Sequence, residues 1–310
     1  MKAGTRMSGR STRTSPLPSL DPGAGLVERA VVLPDGRRIR TVVAGDADGP
    51  LVVFEAGMSA PAACWPHTQR ELSTRARTLS YDRAGYGGSD VDDAERTLER
   101  LTEDLAGVLD AIGETGPVVL IGHSWGGPIL RCFADRHPDR VAGMVFVDAT
   151  VAETMTPGMV RMVMASFRII TLLARLGRTG LIIRMALPHG FSSAISAEDQ
   201  ALLARDYACV QAMKAGRREA KQIGAARPLL QRLQADGTPD VPTVCLQAGR
   251  VDRATAKARP LWNGVAEKLM AAVPRGRVVV VEGAGHLIPQ EQPDAVHTAI
   301  LEVLAEAKGA

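Results

Sequence analysis

From Leu26 onward, short runs of β-branched and apolar residues alternate with longer stretches of helical periodicity. That alternation restricts the chain to an α/β architecture, a mostly parallel sheet with helices on both faces. Eight strands are expected, at 27–33, 39–44, 51–55, 78–81, 118–121, 144–148, 243–248 and 278–282. The first two flank Pro34-Asp35-Gly36, a turn sequence, and should form an antiparallel hairpin at the sheet edge. The later runs are continuously apolar, as central parallel strands covered on both faces must be. Apolar residues at three- and four-residue spacing predict helices over 98–112, 128–137, 259–273 and 295–307. Between 151 and 235 helical patterns continue without a strand. That stretch reads as a helical insertion dividing a core built from 26–150 and 236–310.

The chain has 310 residues, 45% of them hydrophobic, enough for a large buried core. Its 37 basic residues are spread among 34 acidic ones, for a formal charge of +3, so nucleic acid is not an implied partner. Cys64, Cys132, Cys209 and Cys245 lie far apart, with no CxxC pair and no histidine at ligand spacing, so neither zinc nor a disulfide framework is expected. No metal or other cofactor is called for. Residues 1–25 are rich in Ser, Thr, Arg, Pro and Gly, and lack the apolar run of a secretory leader. Pro16, Pro18 and Pro22 would interrupt the amphipathic helix of a transit peptide, so a tail without regular structure and a cytoplasmic location are the expectations. No stretch reaches the roughly 18 uncharged apolar residues of a membrane span.

The chemistry concentrates where the run Val118-Val119-Leu120-Ile121 leads into Gly122-His123-Ser124-Trp125-Gly126-Gly127 and then a helical pattern. This is GxSxG in a strand, turn and helix context, which lifts a serine hydroxyl out of the sheet edge. Side chains at Gly122 or Gly126 would collide with neighbouring backbone in so sharp a turn. A serine hydroxyl needs a base within hydrogen-bond reach. His286, in Gly283-Ala284-Gly285-His286 after the last strand, is the best placed of six histidines. His123 adjoins the serine but should point away from it, in a structural role.

An acid must orient the histidine, and the chain order Ser, Asp, His admits two residues. Asp252 follows the strand at 243–248 on a loop that can reach His286, and is the expected acid; Asp148, ending Val145-Phe146-Val147, is the alternative. Arg250 and Arg253 beside Asp252 would instead make it an ion-pair partner. Two backbone N–H groups should form the oxyanion hole, those of Trp125 at a helix start and of Met58 after Glu55-Ala56-Gly57.

GHSWGG after a strand, Tyr81-Asp82-Arg83-Ala84-Gly85-Tyr86-Gly87-Gly88-Ser89, the loop from Gly249 to Asp252, and Gly285-His286 together resemble the α/β-hydrolase superfamily. The resemblance runs from Leu26 to the C-terminus, except across the insertion. It implies an eight-stranded sheet, the triad roles above and a helical lid over the site. Many relatives carry His-Gly before the oxyanion donor, whereas this chain has Glu55-Ala56-Gly57. A serine where epoxide hydrolases and haloalkane dehalogenases of this fold use aspartate argues against those two chemistries.

The expected function is therefore hydrolysis of a carboxylic ester or related acyl compound, a small and apolar molecule, through an acyl-serine intermediate. Amide cleavage, C–C bond hydrolysis and cofactor-free perhydrolysis would use the same triad, and a ligand-binding protein could retain the fold without turnover. Residues 160–176 are apolar almost all round when wound as a helix, with Arg161, Arg168 and Arg175 in one stripe. Two readings follow: a lid helix whose Phe167 and Leu172 line the substrate pocket, or a surface resting on lipid or on a second subunit.

Overall fold

The computed structural model describes residues 25–251 and 256–308, and its framework is an eight-stranded sheet. The strands are β1 (Leu26–Val32), β2 (Arg38–Ala44), β3 (Val52–Glu55), β4 (Thr78–Tyr81), β5 (Val118–His123), β6 (Val141–Val147), β7 (Thr243–Ala248) and β8 (Gly276–Val281), in the spatial order β1-β2-β4-β3-β5-β6-β7-β8. β1 and β2 form the edge hairpin, β2 pairs antiparallel with β4, and every pairing from β4 to β8 is parallel. All eight expected strands are present, with ends shifted by up to three residues.

The helices are α1 (Pro66–Leu72), α2 (Leu98–Ala111), α3 (Gly126–Arg136), α4 (Pro157–Arg175), α5 (Thr179–Ala186), α6 (Ala197–Tyr207), α7 (Val210–Ala220), α8 (Ile223–Asp236), α9 (Arg259–Ala271), α10 (Ile288–Glu291) and α11 (Pro293–Lys308). Two apolar layers hold them to the sheet. Val53, Val118, Leu120, Met144 and Phe146 point to one face, against α2, α3, α8 and α9. Their chain neighbours Val52, Val119, Ile121, Val145 and Val147 point to the other, against α11 and the end of α1. Side chains on a strand alternate faces, so each continuous apolar run feeds both layers. α2 shows how a helix joins its layer. Thr97 caps it by accepting the Arg100 N–H at 3.2 Å, and Leu98, Leu101, Leu105 and Val108 fall on its buried face.

Between β6 and β7 the chain forms a short 3-10 turn (Ala152–Thr154) and then α4 to α8, with no strand. α1 was not anticipated, because its sequence PHTQREL has no apolar periodicity. Its role is positional, since Gln69 donates to the Val42 carbonyl at 3.0 Å and accepts from Ser80 at 2.8 Å. All four cysteines are free thiols; Cys132 and Cys245 are buried, whereas Cys64 and Cys209 are only half-buried. The tail expected over 1–25 lies outside the described residues, save for Gly25.

Candidate active site

At the carboxyl end of β5 the chain turns sharply into α3. Ser124 sits at that turn with φ +53°, a left-handed conformation costly for a non-glycine residue. Neighbouring backbone enforces it: the Ser124 N–H donates to the Val147 carbonyl at 3.1 Å, and the Ser124 carbonyl accepts from Thr150 at 2.9 Å. A Cβ at Gly126 would lie 2.3 Å from the Glu55 carbonyl oxygen, and one at Gly122 would lie 2.7 Å from Leu130 Cδ1. Both positions therefore exclude a side chain.

His286, on the loop after β8, presents Nε2 to the Ser124 Oγ at 3.0 Å and Nδ1 to Asp148 Oδ2 at 2.7 Å. A carboxylate only accepts, so Nδ1 carries the proton and Nε2 is left as the acceptor for the serine hydroxyl. The carboxylate that orients the histidine is thus the one at the end of β6. Asp252, expected in that place, lies outside the described residues, and the nitrogen it was meant to engage is already bonded to Asp148. The reason is backbone geometry. Asp148 adopts φ +42°, with its N–H donating to the Leu246 carbonyl at 2.8 Å, so its side chain bends back under His286.

Asp148 has a second partner that the sequence reading did not find. Arg259, at the start of α9, donates to both carboxylate oxygens, through Nη2 to Oδ2 at 2.9 Å and through Nη1 to Oδ1, and both residues are fully buried. The same guanidinium lies over the Trp262 ring, 4.9 Å from its centroid. Trp262 in turn donates to the Ala149 carbonyl at 2.6 Å, and its ring lies 5.5 Å from that of His286. Burial opposes ionisation of Asp148, but hydrogen bonds from His286 and Arg259 outweigh it and hold the carboxyl down at about 2, against a usual 3.8. Because the folded value is depressed, the linked stability is present in full above pH about 4 and is lost as pH falls through about 2, an effect on the order of 2 kcal/mol. Arg259→Met should then destabilise the fold by about 3 to 5 kcal/mol, because it strips a buried carboxylate of its cation. A denaturant titration at neutral pH measures this; an unchanged midpoint would contradict a buried ion pair.

His123 precedes Ser124 and is buried. Burial, with the nearby His286 ring adding to it, pushes its pKa down to about 3, so it is neutral near pH 7. Its Nε2 lies 2.9 Å from the backbone carbonyl of His286, so the neutral ring donates from Nε2 and steadies the loop that carries His286.

The N–H groups of Met58 and Trp125 have no acceptor among the described residues. Arg83 determines how the Met58 amide is aimed. Its guanidinium donates to the Ala56 carbonyl at 2.5 Å and the Gly57 carbonyl at 2.7 Å, and to Glu55 Oε1 at 2.6 Å. Across a trans peptide the C=O and N–H point oppositely, so holding the Gly57 carbonyl on Arg83 turns the Met58 N–H away from it. A Cβ on Gly57 would come within 3.2 Å of Ser124 Cβ, so this strip of backbone lies directly against Ser124. Arg83 is itself held by Glu219 of α7, at 2.9 Å from Nε and 2.8 Å from Nη2. Tyr81 donates to Glu55, and the Tyr86 hydroxyl accepts from the Ser59 N–H at 3.0 Å. Burial pushes the Glu55 carboxyl above its usual value, with Arg83 opposing it. Glu55, where relatives were expected to carry His-Gly, is part of this bracing. The network lay inside the YDRAGYGGS segment, but its partner Glu219 is 136 residues away and carries no local signal.

Of the two pocket residues expected in the insertion, Phe167 is buried against α7, where a Cβ at Gly216 would come within 3.0 Å of its ring. Leu172 is 56% exposed, on a different side of α4 from Phe167. The helix is apolar on both sides, so its phase could not be assigned from sequence.

Residues 52–299 match the model of the alpha/beta hydrolase family. The chain belongs to the alpha/beta hydrolase family. Among curated proteins, the chain is 37% identical over 123 residues to epoxide hydrolase B of Mycobacterium tuberculosis, a match covering 38% of this chain and 34% of that one. It is 33% identical over 116 residues to epoxide hydrolase 3 of Xenopus tropicalis, covering 37% and 31% respectively. The chain thus spans about a third of the length of these relatives. Among solved structures, Cfl2 from Burkholderia cenocepacia superposes with a TM-score of 0.70 at 21% identity, over 90% of this chain and 96% of that one. A thermophilic esterase from Thermogutta terrifontis does so with 0.68 at 24% identity, over 91% and 99%. At such identities these two share the fold with this alpha/beta hydrolase.

Proposed function

We propose that the protein hydrolyses a carboxylic ester or a related acyl compound through an acyl intermediate on Ser124. The observation that carries this reading is the continuous array Asp148 Oδ2, His286 and Ser124 Oγ, linked at 2.7 and 3.0 Å. His286 Nε2 takes the hydroxyl proton as Oγ attacks the carbonyl carbon, and Asp148 steadies the imidazolium that results. The Met58 and Trp125 N–H groups stabilise the oxyanion, and His286 returns the proton to the departing alkoxide. Water, activated by the same base, then cleaves the acyl-serine.

The curated relatives bear the name epoxide hydrolase, and their chemistry is the second reading. Chemical balance disfavours it. An epoxide opened by a serine alkoxide leaves an alkyl ether, which water and a histidine do not cleave, whereas an acyl-serine is an ester that they do.

A fluorophosphonate probe tests the proposal because it labels only an activated serine. One equivalent should attach to the native protein and none to Ser124→Ala, and p-nitrophenyl esters should be turned over while styrene oxide is not. Failure to label the native protein, or epoxide opening without ester turnover, would defeat the assignment.

A further inference from the structure

We propose that the outer face of α4 and α5 is a docking surface for an anionic lipid membrane, seating the protein on the bilayer by its insertion. α4 is apolar on two sides, and packing within the molecule uses only one. Phe167 is buried on the inner side, with Val160, Val163, Met164 and Ile170 packed against the core. On the outer side Met162, Ile169, Leu172 and Leu176 are each more than half exposed. In α5, Met185 is also more than half exposed, and Leu181 is 39% exposed. A soluble helix needs one apolar stripe; a second facing water marks an interaction site.

Charge identifies the occupant. Arg161, Arg168 and Arg175 fall at seven-residue intervals and so form one flank of the outer apolar face of α4, and Arg178 and Arg184 follow at the start of α5 and within it. All five are exposed, and among the described residues none is paired with a carboxylate. No aspartate or glutamate occurs from residue 154 to 197. An apolar face flanked by unpaired arginines matches the boundary between acyl chains and phosphate headgroups. A second copy of the chain fits less well, because a two-fold contact through this patch would set arginines against arginines.

The helix lies on the membrane and does not cross it. α4 is long and apolar enough to span a bilayer, with a mean hydropathy of 1.4. Its inner face, however, is committed to the core, and three arginines occur within or at the end of its length.

Flotation with extruded vesicles tests the surface, using the full chain with phosphatidylcholine alone and with added phosphatidylglycerol. The protein should float with the anionic vesicles at low salt, and binding should weaken as salt is raised. The variant R161E/R168E/R175E should bind them at least about a hundredfold more weakly, since each basic side chain near such a surface contributes about a fivefold gain. Ile169→Ser with Leu172→Ser should weaken binding while leaving its salt dependence. These residues are exposed, so the variants should fold, and circular dichroism and thermal melting check that they do. The proposal is overturned by an absence of binding to anionic vesicles, by undiminished binding of the triple variant, or by equal affinity for neutral and anionic vesicles. It is also overturned if the native protein is a dimer that the same substitutions dissociate, which would assign the patch to a second copy.

Discussion

Ser124→Ala is expected to lower kcat for a simple p-nitrophenyl ester by on the order of a thousandfold or more, with the melting temperature nearly unchanged. Among the described residues, His286 Nε2 has Ser124 Oγ as its hydrogen-bond partner, at 3.0 Å. The backbone around residue 124 is held by hydrogen bonds to Val147 and Thr150 that do not involve the hydroxyl, and alanine is free of the larger side chains that the tight turn would exclude. Steady-state kinetics and a thermal melt on the same preparation check both halves of this expectation. Native-like turnover would place the chemistry elsewhere.

The second large effect is expected at Asp148. Asp148→Asn should cut kcat by roughly a hundred- to ten-thousandfold, because an amide cannot hold His286 in the tautomer that leaves Nε2 free, nor stabilise its charged form. Asp252→Asn, measured alongside, should cost far less. Stability needs separate attention, since asparagine also leaves the buried Arg259 guanidinium without its carboxylate. That loss is expected at about 3 to 5 kcal/mol. The double variant Asp148→Asn/Arg259→Leu separates the two effects: it should regain stability and stay inactive. If the double variant recovers activity with stability, Asp148 serves the fold and not the reaction.

The sheet was legible in the sequence because parallel strands buried on both faces read as apolar runs, and 118–121 and 144–147 are apolar without interruption. The edge hairpin was legible from Pro34-Asp35-Gly36, and the serine and histidine from glycine-bounded motifs at strand ends. The acid was not decided at that level. Asp148 and Asp252 both follow a strand and both satisfy the chain order, and the contact of Asp148 Oδ2 with His286 Nδ1 joins residues 138 apart, which no local sequence signal reports. Arg259 and Glu219 were missed for a related reason: each meets its partner only through the tertiary fold, 111 and 136 residues away. Phe167 and Leu172 were read together as pocket-lining, yet one is buried and the other 56% exposed, because a helix apolar on two sides has no unique phase in its own sequence.

The joint between Arg83 and Glu219 restricts how freely this protein can be re-engineered. The helices α4 to α8 lie between β6 and β7, and one way to re-engineer the chain would be to exchange them for a homologue's. Here such a graft would also remove the only carboxylate that the insertion contributes to Arg83 among the described residues. The core would keep a buried cation with Glu55 alone opposite it, and the backbone strip at Ala56 and Gly57 would lose the fixed anchor on which its aim depends. A successful chimera therefore needs a glutamate delivered to the place of Glu219, whatever else the borrowed helices bring. The insertion is in that sense not a detachable module, because one of its side chains belongs to the framework of the site beneath it.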